Sequence, residues 1–370
     1  MSPNKTARED GGVFLFTGFP GFIGARLLPR LLELRPGSSF RLLVQPKFEG
    51  AARASVAEIE RSHPSARGRL SFLLGDITEE RLGLSASALR SLQWALTGAY
   101  HLAAVYDLAV TREAGMRVNV AGTRNVLDVL ADCNALERLH YISTVYVSGT
   151  AVGVYRESDL DVGQSFKNFY EETKFVAEKL VVESGVPQVT YRPAIVVGDS
   201  KTGETAKFDG PYFVLSAMER MPSPGVFLKV GSGRNTVNLV PVDFVVEALA
   251  QLSTTEAPPG RCYHLADPEP LTVIEVAKLF ARALGRRFVY APVPLAAAKL
   301  LFGPAAVQRF LGMPMQSLDY FDHACRYDST QATAALAPLG VSCPRFDEYV
   351  QTLVAFYRDR KDRVRREAMI

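Results

Sequence analysis

The stretch TGFPGFIGARLL, Thr17–Leu28, follows directly on the apolar run GVFLF and carries glycines at positions 18, 21 and 24. A strand, a glycine turn and a helix in immediate succession set a helix amino terminus at the carboxyl end of a strand. The unpaired amides and the dipole of that terminus favour a pyrophosphate, and glycine lets the backbone approach it closely. The spacing is Gly-x-x-Gly-x-x-Gly, looser than the Gly-x-Gly-x-x-Gly dinucleotide fingerprint, so the turn needs support from the rest of the chain.

Working outward, β-rich runs alternate with helix-period segments through the first half: VFLF at 13, FRLLV at 40, LSFLLG at 70, AYHLAA at 99, LHYIS at 139 and VTYRP at 189. Such alternation predicts a doubly wound α/β fold, a parallel sheet with helices on both faces. Between the runs, Val118, Val126, Leu127 and Leu130 form one apolar helical stripe, and Phe175, Val176, Leu180 and Val181 form another. After about residue 198 the texture turns Gly- and Pro-rich. The reading is a Rossmann dinucleotide domain over 11–200, rejoined by 236–266 through the run YHLAD, and a smaller substrate lobe over 201–235 and 267–357. Residues 1–10 and 358–370 are expected to be flexible or fraying ends.

The carboxyl ends of the strands carry further signals. Asp76 ends the third run, where its carboxylate would accept from an adenine amino group or serve as a loop or cap residue. His101–Val105, HLAAV, ends the fourth run with small residues suited to a ribose and nicotinamide lying against the sheet. The second run ends LLVQPKF, with Gln45 and Lys47, Arg41 nearby and no acid. An acid there would bind the 2′-hydroxyl of NAD and a base the 2′-phosphate of NADP, so NADPH is expected, with NADH the alternative.

In NFYEETKF, Tyr170 and Lys174 lie four residues apart, on one face of a helix. A phenol titrates near 10 when unperturbed, and a lysine ammonium one turn away is expected to bring it toward the working range. Ser143 and Thr144 follow the strand LHYIS at its carboxyl end, where a hydroxyl would bond a substrate carbonyl beside Tyr170.

The ordered set TGFPGFIG, GDIT, HLAA, NVAGT, STVYVSG, YEETK and YRPAIVVG resembles the extended short-chain dehydrogenase/reductase superfamily over most of the chain. The resemblance implies that Gly18, Gly21 and Gly24 line the pyrophosphate and that Asp76 meets the adenine. It makes Thr144, Tyr170 and Lys174, with Ser143, the catalytic set, and Pro193 a neighbour of the nicotinamide. Thr17, Phe22, Ile23, Ile77, Ala103, Ala104 and Asn119 join Gln45, Lys47 and Lys174 as implied cofactor contacts. The stretch GSGRNTVNLVPVD has Val237 where nucleotide-sugar epimerases have an arginine, with Arg234 out of register. That stretch, TGFPGFIG and HYISTVYVSG look like the fatty acyl-CoA reductase and thioester-reductase branch, which reduces acyl thioesters to aldehydes or alcohols. Gln45 departs from the arginine frequent there.

These 370 residues hold no adenylation or carrier domain, so a preactivated substrate is expected, as an acyl-CoA or on a separate carrier protein. FVLSAMERMPSPGVFLKV and VPLAAAKLLFGPAAVQRFLGMPMQ would suit a hydrophobic tail. The competing readings are a nucleotide-sugar epimerase or dehydratase, a hydroxysteroid-type dehydrogenase, and a non-catalytic dinucleotide sensor. A homodimer through the helices of NVAGTRNVLDVL and YEETKFVAEKL is a family expectation.

The 42 basic and 39 acidic residues leave a net charge of +3 with no basic block interleaved with aromatics, which gives no nucleic-acid signature. Cys133, Cys262, Cys325 and Cys343 are scattered without a CxxC pair, so neither a metal site nor a disulfide framework is expected, and a reducing cytoplasm fits. The polar start MSPNKTAREDGG is unlike a signal peptide, and no apolar window is long enough to span a membrane. The closing segment YRDRKDRVRREAMI predicts a solvated last helix that frays.

Overall fold

A computed structural model of the chain describes residues 11–231, 235–304, 307–308, 315–321 and 323–367. In chain order the strands are β1 (Val13–Thr17), β2 (Ser39–Val44), β3 (Leu70–Leu74), β4 (Gly98–His101), β5 (Arg138–Ile142), β6 (Gly153–Tyr155), β7 (Gln188–Pro193), β8 (Ile195–Val197), β9 (Gly225–Val230), β10 (Leu239–Pro241), β11 (Arg261–Leu265), β12 (Phe288–Val293) and β13 (Cys325–Tyr327). The chain divides into two compact units. The first holds the described residues of Met1–Val147, Phe169–Arg192 and Val246–Tyr263, and the second those of Ser148–Asn168, Pro193–Val245 and His264–Ile370.

The main sheet has seven strands in the order β11-β7-β5-β4-β1-β2-β3. Pairing is parallel from β3 through β2, β1, β4 and β5 to β7. Parallel pairing puts the carboxyl ends of these strands on one edge, so residues far apart in sequence share a rim. The period-two alternation gives each face its own core. On one face Phe14, Phe40, Tyr100 and His140 stack across neighbouring strands, with Phe14 to Phe40 centroids at 5.5 Å and Tyr100 to His140 at 4.6 Å. On the other, Leu15, Ala99, Leu139 and Tyr141 pack against Val126, Leu130, Ala177 and Val181 of the covering helices.

Those helices begin and end on local signals. Thr111 caps the segment Arg112–Gly115, accepting from the Ala114 amide at 3.2 Å, and a π-helical turn, Met116–Ala121, leads into Gly122–Ala131. The helix Phe169–Glu183 departs from the apolar stripe expected for it. Its buried face carries Tyr170, Glu171, Thr173, Lys174, Ala177, Glu178 and Val181, while Phe175, Val176 and Leu180 are only half-buried. Tertiary partners for the polar groups outweigh the amphipathic period there.

In the second unit β8 pairs with β10, β9 with β12 and β6 with β13, all parallel. Its core gathers Tyr212, Leu215 and Met218 with Phe280, Phe346, Tyr349 and Leu353. The helix Val273–Leu284 starts on a capping box between Thr272 and Glu275 and ends on Gly285 in the left-handed region. The buried Glu157 carboxylate accepts from the amides of His264, Gln331 and Ala332, tying the start of the helix Thr330–Leu336 to the core.

Residues 148–168, 193–200, 236–245 and 264–266, which the sequence reading grouped with the dinucleotide domain, fall in this unit. The boundary follows packing, and the chain crosses it within β7 and β11. Of the stretches expected to line a substrate pocket, Leu215, Met218 and Phe227 are core residues and Leu300 is 80% exposed, while 305–306 and 309–314 lie outside the described residues. The last helix runs Phe346–Glu367. Arg358 donates to the Leu284 carbonyl at 2.7 Å and Lys361 bonds Glu219 at 2.6 Å, so two of the charges expected to be solvated are anchored. Residues 1–10 and Arg234 lie outside the described residues.

Candidate functional site

The glycine turn is built around one carbonyl. Gly18 has φ +85°, a conformation that a side chain disfavours, and a Cβ there would lie 2.9 Å from the Ala103 nitrogen. A Cβ on Gly21 or Gly24 would meet the Gly18 oxygen at 2.8 or 2.6 Å. The close approach that excludes side chains is therefore the turn's own backbone. Its product is a bare helix start: the helix Gly24–Leu34 has Ile23 at its N-cap, no side-chain cap and no acid in its first turn. An uncapped, positively polarised helix end beside a turn free of side chains fits a diphosphate. Arg26, which the sequence reading did not single out, adds a cation: its guanidinium lies 4.4 Å from the Phe22 ring and donates to the Phe22 carbonyl at 3.1 Å.

Several of the implied cofactor contacts also hold the protein together. The Thr17 hydroxyl bonds His101 Nδ1 at 2.7 Å and accepts from the Leu102 and Ala103 amides at 3.2 Å each, binding the end of β1 to the end of β4. The buried Asn119 accepts from the Val105 amide at 2.8 Å and donates to the Val105 carbonyl and to Thr173 Oγ1 at 3.3 and 3.1 Å. It clamps the loop after β4 to the helix of Tyr170. Ala103 is half-buried and Ala104 exposed on that loop.

At the far strands, Asp76 is half-buried and accepts from the Thr78 amide at 2.9 Å, and Ile77 is buried with its carbonyl accepting from Asn125 at 2.7 Å. Within β2 Arg41 donates to Ser71 at 2.6 Å, and beyond its end Gln45 is half-buried and Lys47 is exposed with its ammonium 4.9 Å from the Phe48 ring. Lys47 is thus the base that projects from this end.

Ser143 and Thr144 follow β5 directly, and the Ser143 amide donates to the Tyr191 carbonyl of β7 at 2.7 Å. Pro193 closes β7. The Thr144 hydroxyl hydrogen-bonds Tyr170 and accepts from the Tyr146 amide at 3.3 Å. Lys174 Nζ donates to the Ile142 carbonyl at 2.9 Å and the Tyr141 hydroxyl at 3.2 Å. The Ser143 hydroxyl is buried without a partner among the described residues, which is costly unless something else bonds it. Tyr106, 44% exposed, sets its ring edge-on to Tyr170 at 5.1 Å.

Electrostatics revise one expectation. Burial pushes the Tyr170 phenol well above its ordinary value, with the Thr144 bond opposing, and the lysine is occupied by β5 and Tyr141. Lys174 is itself lowered to about 8 by burial, with Glu178 opposing. Desolvation disfavours both charged forms and overrides the one-turn spacing. The arrangement keeps Tyr170 a proton donor, supported by a second hydroxyl at Thr144. Sequence reasoning missed Tyr106, Tyr141 and Glu178; a glutamate four residues after Lys174 is the one visible signal among them.

The sequence pattern of the Male sterility protein family matches residues 16–249. The chain is 25% identical to a linear gramicidin synthase of Brevibacillus parabrevis over 95% of its own length and 7% of that protein. It is 25% identical to fatty acyl-CoA reductase wat of Drosophila melanogaster over 67% of its length and 55% of that protein. It thus spans only a part of either of these relatives. The crystal structure of the terminal R domain from the myxalamid PKS-NRPS biosynthetic pathway superposes with a TM-score of 0.80 at 27% identity, covering 96% of this chain and 92% of that one.

Proposed function

The chain belongs to the Male sterility protein family, in the extended short-chain dehydrogenase/reductase superfamily, and we propose that it is an NADPH-dependent reductase of acyl thioesters presented on coenzyme A or a carrier protein. The observation that carries this is the pairing of Thr144 with a buried Tyr170 held in its protonated form. A carbonyl being reduced needs a donor, and this is one. The likeness to the R domain and to fatty acyl-CoA reductase supports a thioester over a nucleotide sugar.

The residues fit a nicotinamide dinucleotide: the bare turn at Gly18, Gly21 and Gly24 with Arg26 beside it would take the diphosphate, Lys47 the 2′-phosphate and Lys174 the ribose hydroxyls. The bound dinucleotide supplies the hydride. Thr144 and Tyr170 donate hydrogen bonds to the thioester oxygen, and Tyr170 passes its proton as negative charge develops there. Collapse of the resulting hemithioacetal breaks the C–S bond, releasing thiol and aldehyde. The orphan hydroxyl of Ser143 is a further donor for the same oxygen.

The test follows NADPH oxidation with a long-chain acyl-CoA, the matching aldehyde, a carrier-bound acyl thioester and a UDP-sugar, using the protein and Tyr170→Phe. Oxidation driven by thioester or aldehyde and lost in the variant is the expected result. Oxidation by none of them, or retained activity in Tyr170→Phe, overturns the reading.

A further inference from the structure

Glu178 and Arg192 form an ion pair inside the first unit, with side chains 1% and 2% exposed. Arg192 Nε donates to the two carboxylate oxygens at 2.9 and 3.2 Å, and Nη2 donates at 2.5 Å. Taking two charges out of water costs several kcal/mol per ion, and apolar residues of the same volume commonly serve stability as well. Stability alone therefore gives no reason for these two residues. Position does. Glu178 lies one helical turn after Lys174, on the same face of the helix Phe169–Glu183, and Arg192 reaches it from β7, the strand beside β5.

We infer that Glu178 is a positioning residue for Lys174: one helical turn further along the same buried face and locked in place by Arg192, its carboxylate keeps the lysine directed at the Ile142 carbonyl and the Tyr141 hydroxyl. The groups around Lys174 leave this role to it. His101 on β4 is neutral, held down to about 3 by burial and by the Lys174 charge. Tyr141 on β5 is kept protonated, first by burial and then by Glu178. On the lysine's own helix Tyr170 is protonated and the charge of Glu171 acts on Tyr170, while Arg192 on β7 is spent on Glu178. Burial lowers Lys174 and Glu178 is the charge that opposes it.

The inference rests on the reading of Thr144, Tyr170 and Lys174 as the catalytic set, but its test does not. The full chain carrying ¹³Cε-lysine is titrated by NMR, with Lys174 assigned through Lys174→Arg, in wild type, Glu178→Gln, Glu178→Asp and the double variant Glu178→Gln/Arg192→Met. In Glu178→Gln the Lys174 midpoint should fall by about one pH unit or more, roughly tenfold in proton affinity. The double variant, which removes both members of the ion pair together, should stay folded and keep a smaller fall in the same direction. Glu178→Asp should return the midpoint toward wild type. A Lys174 midpoint in the double variant equal to wild type overturns the inference. If the midpoint moves as stated but no variant and no wild type reduces a thioester, the reductase reading fails and this one stands.

Discussion

Lys174 donates to the carbonyl of Ile142 at 2.9 Å, and Tyr170, one helical turn earlier, pairs with the hydroxyl of Thr144, two residues further along the same strand end. The helix is thereby pinned to the rim of the sheet at two points, one cationic and one a neutral proton donor.

Removing the donor should separate binding from chemistry. Tyr170→Phe keeps the ring against Tyr106 and is expected to lower kcat by roughly 10²–10⁴-fold, the span of general acid catalysis, with cofactor Kd changed less than about threefold. Thr144→Ala should cost about 10–10³-fold as the loss of one donor to the oxygen. Fluorescence titration of NADPH beside steady-state kinetics checks both; parallel losses in Kd and kcat would contradict the assignment.

The pH profile should show an alkaline limb. With Lys174 lowered to about 8, the ammonium is present below that pH and is lost as pH rises through it, so kcat/KM is expected to fall above about 8. Between about 8 and the ordinary lysine value of 10.5 the folded chain has released a proton that the unfolded chain still holds, so this group adds stability as pH rises there. A falling rate in that window with an unchanged or higher melting temperature would tie the limb to Lys174 and not to unfolding.

Acid should weaken the fold. His101 in the first unit and His323 in the second are each held down to about 3, first by burial and then by Lys174 and Lys167 respectively. Unfolded histidines take a proton near 6.5 while the folded ones refuse it until about 3. Stability present above 6.5 is therefore lost as pH falls through that window, by about 1.4 kcal/mol per pH unit for each histidine. Thermal melts at neutral and acid pH test this, and His101→Gln should flatten the dependence.

The glycine turn predicts a substitution that harms both folding and binding. Gly18→Ala must hold φ +85° and press its Cβ to 2.9 Å from the Ala103 nitrogen, a strain of about 1–3 kcal/mol. A melting temperature lowered by several degrees is expected, together with weaker dinucleotide binding. An unchanged melting temperature would show that the turn relaxes freely.

Cofactor choice should hang on Lys47. Lys47→Glu is expected to weaken NADPH binding about tenfold or more while leaving NADH nearly untouched, because only NADPH brings a phosphate to the end of β2. Equal losses for the two dinucleotides would remove Lys47 from the 2′-phosphate site.

The strands of the main sheet, the glycine turn and the Tyr170 and Lys174 pair were legible in the linear chain, whereas the short strands of the second unit were not. Each legible feature rests on short-range regularity: β-rich runs such as VFLF and LHYIS, glycines three residues apart behind the first of them, and one helical turn between a phenol and an amine. The destinations of side chains were not legible in that way. Nothing in YEETKFVAEKL tells that Glu178 is more buried than Phe175, because that depends on Arg192 arriving from a strand whose residues follow later in the chain. For the same reason the partners of Thr17 at the end of β4 and of Asn119 in the loop beyond it were not legible.

The doubly wound sheet and the residue types that stand at its carboxyl rim follow from the linear chain, since the alternation of β-rich and helix-period runs is a local property. The tertiary structure alone decided which of those groups lose water, and so which way they titrate. Burial keeps Tyr170 protonated and lowers Lys174 because desolvation is set by everything packed around a group, and most of that comes from distant parts of the chain.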